Sequence, residues 1–118
     1  MKVQRGDVVF LRFPFGDGSG SKVRPAVVVQ RDSDNRRLES TVVVLITSNK
    51  TLIGMESGHI LIDVSGDPGK SSGLRFNSVV NVHSLFSLHS SQIREVVGNV
   101  SDDLMSLIDQ QLRLSLDL

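Results

Sequence analysis

The alternation of hydrophobic and polar positions along the chain predicts short β-strands separated by turns. Two runs, PAVVVQ (25–30) and STVVVLITS (40–48), are rich enough in β-branched residues to be central strands buried on both faces. Turn formers recur about every 8 to 12 residues, a spacing typical of a small barrel and not of alternating strands and helices. The predicted strands are 7–13, 25–30, 40–48, 58–64, 76–82, 84–88 and 92–100.

The segments between the strands are predicted to be loops, and the chain is predicted to end in a helix. The stretches 15–22 (FGDGSGSK), 31–39 and 66–73 are polar and rich in turn formers. Ser101 can cap a helix over about 102–113, with acidic residues in its first turn. Its apolar stripe would consist of Leu104, Leu107, Ile108 and Leu112. The tail 114–118 is expected to add a short strand or to pack against a partner.

The composition fits one globular domain over residues 1–118, with 39% hydrophobic and 22% charged residues. The chain has no cysteine, which excludes disulfides, thiolate metal sites and cysteine nucleophiles. No run approaches the roughly 18 apolar residues of a membrane span, so a soluble cytoplasmic protein is expected. The zero net charge conceals an asymmetry: nine Lys/Arg against six Asp/Glu over 1–59, and four against seven over 60–118. A nucleic-acid site would therefore draw mainly on the first half.

Three short segments carry side chains suited to binding a phosphate. Arg24 precedes Pro25, which favours an extended backbone, so its guanidinium would be held on a fixed base beside the Gly/Ser loop. Thr47 and Ser48 end the longest apolar strand, followed by Asn49 and Lys50, and their hydroxyls could bond a phosphate or a ribose. The alternatives are a surface arginine at a strand start and an ordinary strand end.

The third segment is GLRFNSVV, in which Arg75 and Asn77 would share one strand face while Phe76 points the other way. That pair could bind a phosphate or a base edge, and the alternative is an exposed sheet face. Other chemistry has little support, because His59, His83 and His89 lack metal-ligand spacing and no phosphate-binding glycine motif occurs. No metal or cofactor is expected.

Taken together, these segments resemble the MazF/PemK/Kid toxins of bacterial toxin–antitoxin systems. The likeness covers roughly residues 4–116, from RGDVVFLRFPFGDGSGSKVRPAVVVQ through VVVLITSNK to SVVNVHSLFSLHSSQI and the closing helix. It implies a mainly β protein with α, an SH3-like β-barrel closed by one C-terminal helix and assembled as a homodimer. It also implies a metal-independent endoribonuclease that cleaves single-stranded messenger RNA and is inhibited by a cognate antitoxin.

The family's chemistry is attack of a ribose 2′-hydroxyl on the adjacent phosphorus, giving a 2′,3′-cyclic phosphate and a free 5′-hydroxyl. Carried over, Arg24 is the acid and phosphate-stabilising group, and Thr47 positions the 2′-hydroxyl or the scissile phosphate. The resemblance makes the first loop a flap over the substrate groove. The substrate-binding residues expected from these segments are Asp17, Ser19, Lys22, Ser48, Arg75 and Asn77.

The chain departs from the family at two places. The first loop reads GDGSGSK and lacks the Gly-His/Ser-Glu-Gln segment of many members. Asn77 stands where some members hold the carboxylate of an Arg-x-Asp pair, and an amide cannot act as a general base at neutral pH. Asp17 is a substitute base within the loop. Phe15 and Phe76 are the stacking platforms expected near the site.

Two other function classes fit the same resemblance. One is a non-catalytic binder like the CcdB-type toxins, which have a related barrel and poison DNA gyrase. The other is a degenerate homologue that binds RNA without cleaving it, which Asn77 and the altered loop would favour. The Arg-Pro and Thr-Ser pairing and the form of the C-terminal half favour the nuclease.

Overall fold

The computed structural model describes residues 2–14, 17–48 and 58–118, and within them the protein is mainly β with one long helix. Asn49, Lys50 and Phe15 lie outside the described residues. The strands are β1 (Asp7–Pro14), β2 (Ser21–Val28), β3 (Ser40–Thr47), β4 (His59–Ile62), β5 (Ser78–His89) and β6 (Ile93–Asn99). The helices are α1 (Asp32–Arg37), α2 (Asp67–Lys70) and α3 (Asp102–Leu116), and Ser90–Gln92 form a 3₁₀ turn.

The six strands form one antiparallel sheet in the order β4-β5-β3-β2-β1-β6. In the described part of the chain β4 and β6 are the two edge strands and do not pair with each other, so the expected closed SH3-like barrel is not confirmed. The sheet nevertheless bends strongly within β5. Val44 pairs with Leu85 but Leu45 pairs with Asn81, which leaves residues 82–84 bulged out of the ladder. The two strands predicted at 76–82 and 84–88 are thus largely the two halves of one bent strand.

The two faces of the sheet carry separate hydrophobic clusters. Successive residues of β1 divide between them, since Val8 packs in one cluster while Val9 and Leu11 pack in the other. The first cluster is covered by α3 through Met105 and Ile108. The single C-terminal helix laid against the strands is therefore confirmed, with its core on one face of the sheet.

Helix α3 begins as predicted, because the Ser101 hydroxyl accepts a hydrogen bond from the Leu104 N–H at 3.2 Å. The tail does not form a strand, since the helix continues to Leu116 and ends where Asp117 adopts a left-handed conformation (φ 57°). Leu107 is exposed and Met105 is buried in its place, which corrects the predicted stripe. No helix in the described ranges is long and apolar enough to span a bilayer.

Helix α1 replaces the loop predicted over 31–39, and a polar network fixes it to the sheet. Asn35 is buried, and its side-chain oxygen accepts hydrogen bonds from Gln30 at 3.0 Å and from the Thr41 hydroxyl at 2.7 Å. The Asp32 carboxylate accepts the backbone N–H of Arg5 at 2.6 Å, which is the main reason that the pKa of Asp32 lies below its usual 3.8. Six residues without an apolar stripe give no helical period to detect.

Candidate active site

A notch opens in the sheet where β2 and β3 separate. Strand β2 pairs with β1 from Ser21 to Val27, but only Ala26, Val27 and Val28 pair with β3. The Val29 N–H donates to Val42 of β3, so by alternation the nitrogen of Pro25 also faces β3. Because proline has no N–H, the ladder loses a donor at that point. Beyond Leu45, β3 is paired on its other side only, with β5.

This separation leaves Arg24 and Thr47 on opposite sides of the notch. The last β2–β3 pair is Ala26 with Leu45, and two further pairs in the same register would have placed Arg24 opposite Thr47. Both residues instead line a cavity of about 550 Å³. The sequence placed these two residues in separate segments. The strand register and the proline bring them to one site.

The cavity also contains most of the other predicted substrate-binding residues. Lys22, Ser48 and Arg75 line it together with Arg24 and Thr47. In the described part of the chain, no carboxylate lies within ion-pair distance of the three cations. By contrast, Arg5 forms an ion pair with Asp109 that ties the segment before β1 to α3. The cavity cations are therefore not paired with any carboxylate of the described ranges, as expected of groups that bind an external anion.

Asn77 lies outside the cavity lining, which corrects the expected pairing with Arg75 on one strand face. Strand β5 begins only at Ser78, so residues 75–77 are a bend to which strand alternation does not apply. The Asn77 side-chain oxygen accepts the Val64 N–H at 2.9 Å, and the Ser78 hydroxyl donates to the Phe76 carbonyl at 2.8 Å. These bonds anchor the bend and leave Phe76 70% exposed at the rim of the cavity.

Asp17 and Ser19 also lie outside the cavity lining, in an exposed turn before β2. The Ser19 N–H donates to the Asp17 carboxylate at 2.9 Å. Hydrogen bonds from Ser19, led by its side chain, hold the pKa of Asp17 below the ordinary 3.8. A carboxylate with a lowered pKa is a weaker proton acceptor, which disfavours Asp17 as a substitute base.

Sequence reasoning missed one ionisable residue of the cavity, Glu95 on β6. Its pairing partner is Phe10 of β1, which also lines the cavity. The pairing joins the first strand to the last, so local sequence carries no sign of it. With Lys22, Arg24 and Arg75 against this single carboxylate, the described cavity carries a formal charge of +2.

The three histidines do not belong to this site. The rings of His59 and His83 meet edge to face with their centroids 5.9 Å apart, on β4 and β5. His89 instead caps the 3₁₀ turn, and its ring accepts the Ser91 N–H at 3.1 Å. Within the described ranges no three His, Asp or Glu side chains are grouped in a way that could hold a metal ion.

Comparison with known proteins shows which family this chain resembles in sequence and in fold. The model of a family described as PemK-like, MazF-like toxin of type II toxin–antitoxin systems matches residues 4–116. The endoribonuclease MazF6 of Mycobacterium tuberculosis is 34% identical, with both chains covered completely. Among solved structures, a mycobacterial endoribonuclease in complex with its cognate antitoxin superposes with a TM-score of 0.75 at 22% identity, covering 98% of this chain and 96% of that one. A MazE–MazF complex from Deinococcus radiodurans gives 0.77 at 19%, covering 100% and 99%.

Proposed function

Because the chain belongs to the family of PemK-like, MazF-like toxins of type II toxin–antitoxin systems, we propose that it is an endoribonuclease cleaving single-stranded messenger RNA in the bacterial cytoplasm. The observation that carries the proposal is the notch, which gathers Arg24, Thr47 and two further cations in one cavity. A cleft between two strands with a net positive charge over its described lining suits a phosphodiester backbone. Residues 1–118 would act as a single toxin domain.

The proposed reaction begins with attack of a ribose 2′-hydroxyl on the adjacent phosphorus. Negative charge then builds up on the phosphoryl oxygens, and Arg24 stabilises it with fork-like N–H donors. Arg24 also serves as the acid for the departing 5′-oxygen. The Thr47 hydroxyl, across the notch, positions the 2′-hydroxyl or the scissile phosphate. The products would be a 2′,3′-cyclic phosphate and a free 5′-hydroxyl.

The remaining residues of the cavity would bind the RNA chain on either side of the scissile bond. Lys22, Ser48 and Arg75 can contact neighbouring phosphates or riboses. Asn77 contributes indirectly, because its bond to the Val64 N–H holds the bend that carries Arg75. Asp17 and Ser19 lie in the turn before β2, so their contribution would require substrate that extends beyond the cavity.

The inhibiting partner would be a cognate antitoxin that places an acidic segment over the Arg24 cavity. The cavity has three cations, and no carboxylate of the described residues lies within ion-pair distance of them. Their positive charge is complementary to that of an acidic segment. Antitoxin and RNA would then compete for one site. A homodimer is proposed from the family resemblance.

The direct test is cleavage by the purified chain, freed of antitoxin, in EDTA. Single-stranded RNA of several hundred nucleotides is expected to be cut at a limited set of sites, with 2′,3′-cyclic phosphate ends, because the proposed chemistry uses only protein groups. End-group analysis by mass spectrometry checks the product. RNA that remains intact both with and without divalent cations would contradict the proposal, as would ends bearing a 5′-phosphate.

Phe76 is expected to act in RNA binding and not in the chemical step. Its ring is 70% exposed on an anchored bend, and stacking of a base on an aromatic ring contributes about 1–3 kcal/mol. Phe76→Ala should therefore raise KM for a short RNA substrate about 10-fold and leave kcat within about twofold. Phe76→Tyr is the matched control, because it keeps the aromatic face. A fall in kcat at unchanged KM would show that Phe76 has a different role.

A further inference from the structure

The proposed reaction needs a group that accepts the proton of the attacking 2′-hydroxyl, and the predicted candidates do not supply it. Asn77 carries an amide and is bonded to Val64 outside the cavity. Asp17 lies in the turn with Ser19. Among the described residues that line the cavity, Glu95 is the one carboxylate, and no histidine is present.

Glu95 is an exposed residue that lines the cavity. Within the described ranges it accepts no hydrogen bond and lies within ion-pair distance of no cation. Several other acids already have partners: Asp32 accepts the Arg5 N–H, Asp34 pairs with Arg31, and Asp109 pairs with Arg5. Unlike these three acids, Glu95 forms no ion pair or hydrogen bond within the described ranges that would give it a structural role.

Strand pairing fixes where Glu95 stands. It lies on β6, an edge strand that pairs only with β1 in the described sheet. Directly paired residues of antiparallel strands project from the same face, so Glu95 shares a face with Phe10. Arg24 pairs with Leu11, the next residue of β1, and therefore projects from the other face and meets the same cavity at the notch. The register shifts between Phe10 and Leu11, which bends β6 beside the cavity.

We propose that Glu95 is the general base of the ribonuclease reaction. Its carboxylate takes the proton of the 2′-hydroxyl as the 2′-oxygen forms its bond to phosphorus. The bond between phosphorus and the 5′-oxygen breaks, and the 5′-oxygen leaves with the proton that Arg24 supplies. Solvent then takes the proton from Glu95 and restores the one on Arg24, so charge and atoms balance over one turnover. This role rests on the proposed ribonuclease function.

Because of the charges in the cavity, a Glu95 that acts as a base and a Glu95 that is only present beside the RNA predict different kinetics. A carboxylate beside an RNA backbone repels it, so loss of a passive Glu95 would leave binding and cleavage unchanged or improve them. Loss of a general base lowers the rate of the chemical step, typically by 10² to 10⁴. The two roles therefore predict different results: kcat falls if Glu95 is the base and stays equal or rises if Glu95 is passive.

The experiment compares Glu95→Gln with wild type on a short RNA that contains a mapped cleavage site. We expect kcat to fall about 10²-fold and affinity for the same RNA with a 2′-deoxy group at that site to stay equal or increase. The rise of kcat with pH on the acid side should also disappear. Lys22, Arg24 and Arg75, the charged groups facing the cavity from other elements, are retained in this variant. Glu39→Gln is the matched control, because Glu39 is exposed and does not line the cavity.

The outcomes distinguish this proposal from the function on which it rests. Cleavage by Glu95→Gln within about threefold of wild type, or with an unchanged pH profile, would overturn the assignment while the ribonuclease stands. Loss of affinity for the 2′-deoxy RNA together with cleavage would also overturn it, because it would indicate a structural role. Wild-type protein that cleaves no RNA would overturn the ribonuclease and the base together. Glu95→Asp, which keeps a shorter carboxylate, should retain partial activity and the pH dependence.

Discussion

Arg24→Ala is expected to reduce kcat/KM for cleavage of single-stranded RNA by about 10³-fold, with little change in folding. Arg24 lines the cavity opposite Thr47, where charge would build up on the phosphoryl oxygens. Removing one donor to such a charge typically costs 10²- to 10³-fold, and Arg24 is proposed to serve the leaving oxygen as well. The half-buried side chain starts from a strand that Val27 and Val28 hold in the core. Initial rates and thermal unfolding, measured on the same preparation, check both parts.

Two further variants sharpen that result. Arg24→Lys keeps the positive charge but loses the planar fork of donors, so it should recover no more than about a tenth of the wild-type rate. Arg36→Ala removes an exposed cation of α1 that does not line the cavity, and it should cleave like wild type. Arg24→Ala that cleaves within about threefold of wild type would remove Arg24 from the reaction.

The central strands and the final helix could be predicted from sequence because their signals are local. Strand β3 follows the valine run that predicted it, and α3 begins at the Ser101 cap. Where the signal was not local, the prediction was incomplete. Strand β2 begins at Ser21, within a segment predicted as loop, because pairing with β1 extends it. The short α1 and α2 have no apolar period and were missed.

The site could be predicted only in part, for the same physical reason. Arg24 precedes a proline and Thr47 lies at the end of a valine-rich strand, so local sequence features indicated each residue separately. Their meeting depends on the β2–β3 register, and the position of Glu95 depends on pairing between the first and last strands. Asn77 was placed beside Arg75 by a strand period that does not hold in a bend. The local sequence pattern contains no information on which distant strands pair, and these pairings place the residues of the site.

The segment that carries Arg75 depends on a close approach between two stretches of backbone. A Cβ atom on Gly98 of β6 would lie 2.3 Å from the Ser71 carbonyl oxygen and 2.5 Å from the Ser72 carbonyl carbon. A Cβ on Gly73, which has φ +74°, would lie 2.1 Å from the Val97 oxygen. The Asn99 N–H donates to the Ser71 oxygen at 2.9 Å, which fixes the same approach. Glycine at both positions lets the segment lie directly on β6.

Gly98→Ala is therefore expected to destabilise the protein by about 3 kcal/mol and to reduce RNA cleavage well beyond that loss of folded protein. The added methyl group meets main-chain atoms, which cannot move aside as a flexible side chain would, so the segment must shift away from β6. Arg75 and Phe76, which follow directly along the chain, would move with it and leave the cavity rim. Urea unfolding measures the first effect, and kcat/KM under conditions where the variant is fully folded measures the second.

Ser71→Ala is the matched control for that variant. It removes the hydroxyl that donates to the Asn99 oxygen at 2.9 Å but leaves the backbone contact between the two stretches intact. An exposed hydrogen bond of this kind contributes about 1 kcal/mol, so a smaller loss of stability and near-normal cleavage are expected. If Gly98→Ala unfolds like wild type and keeps its kcat/KM, then the close approach at Ser71 and Ser72 does not hold Arg75 in place. Loss of activity in Gly98→Ala alone would show that the backbone contact, and not the hydroxyl, positions Arg75 at the cavity.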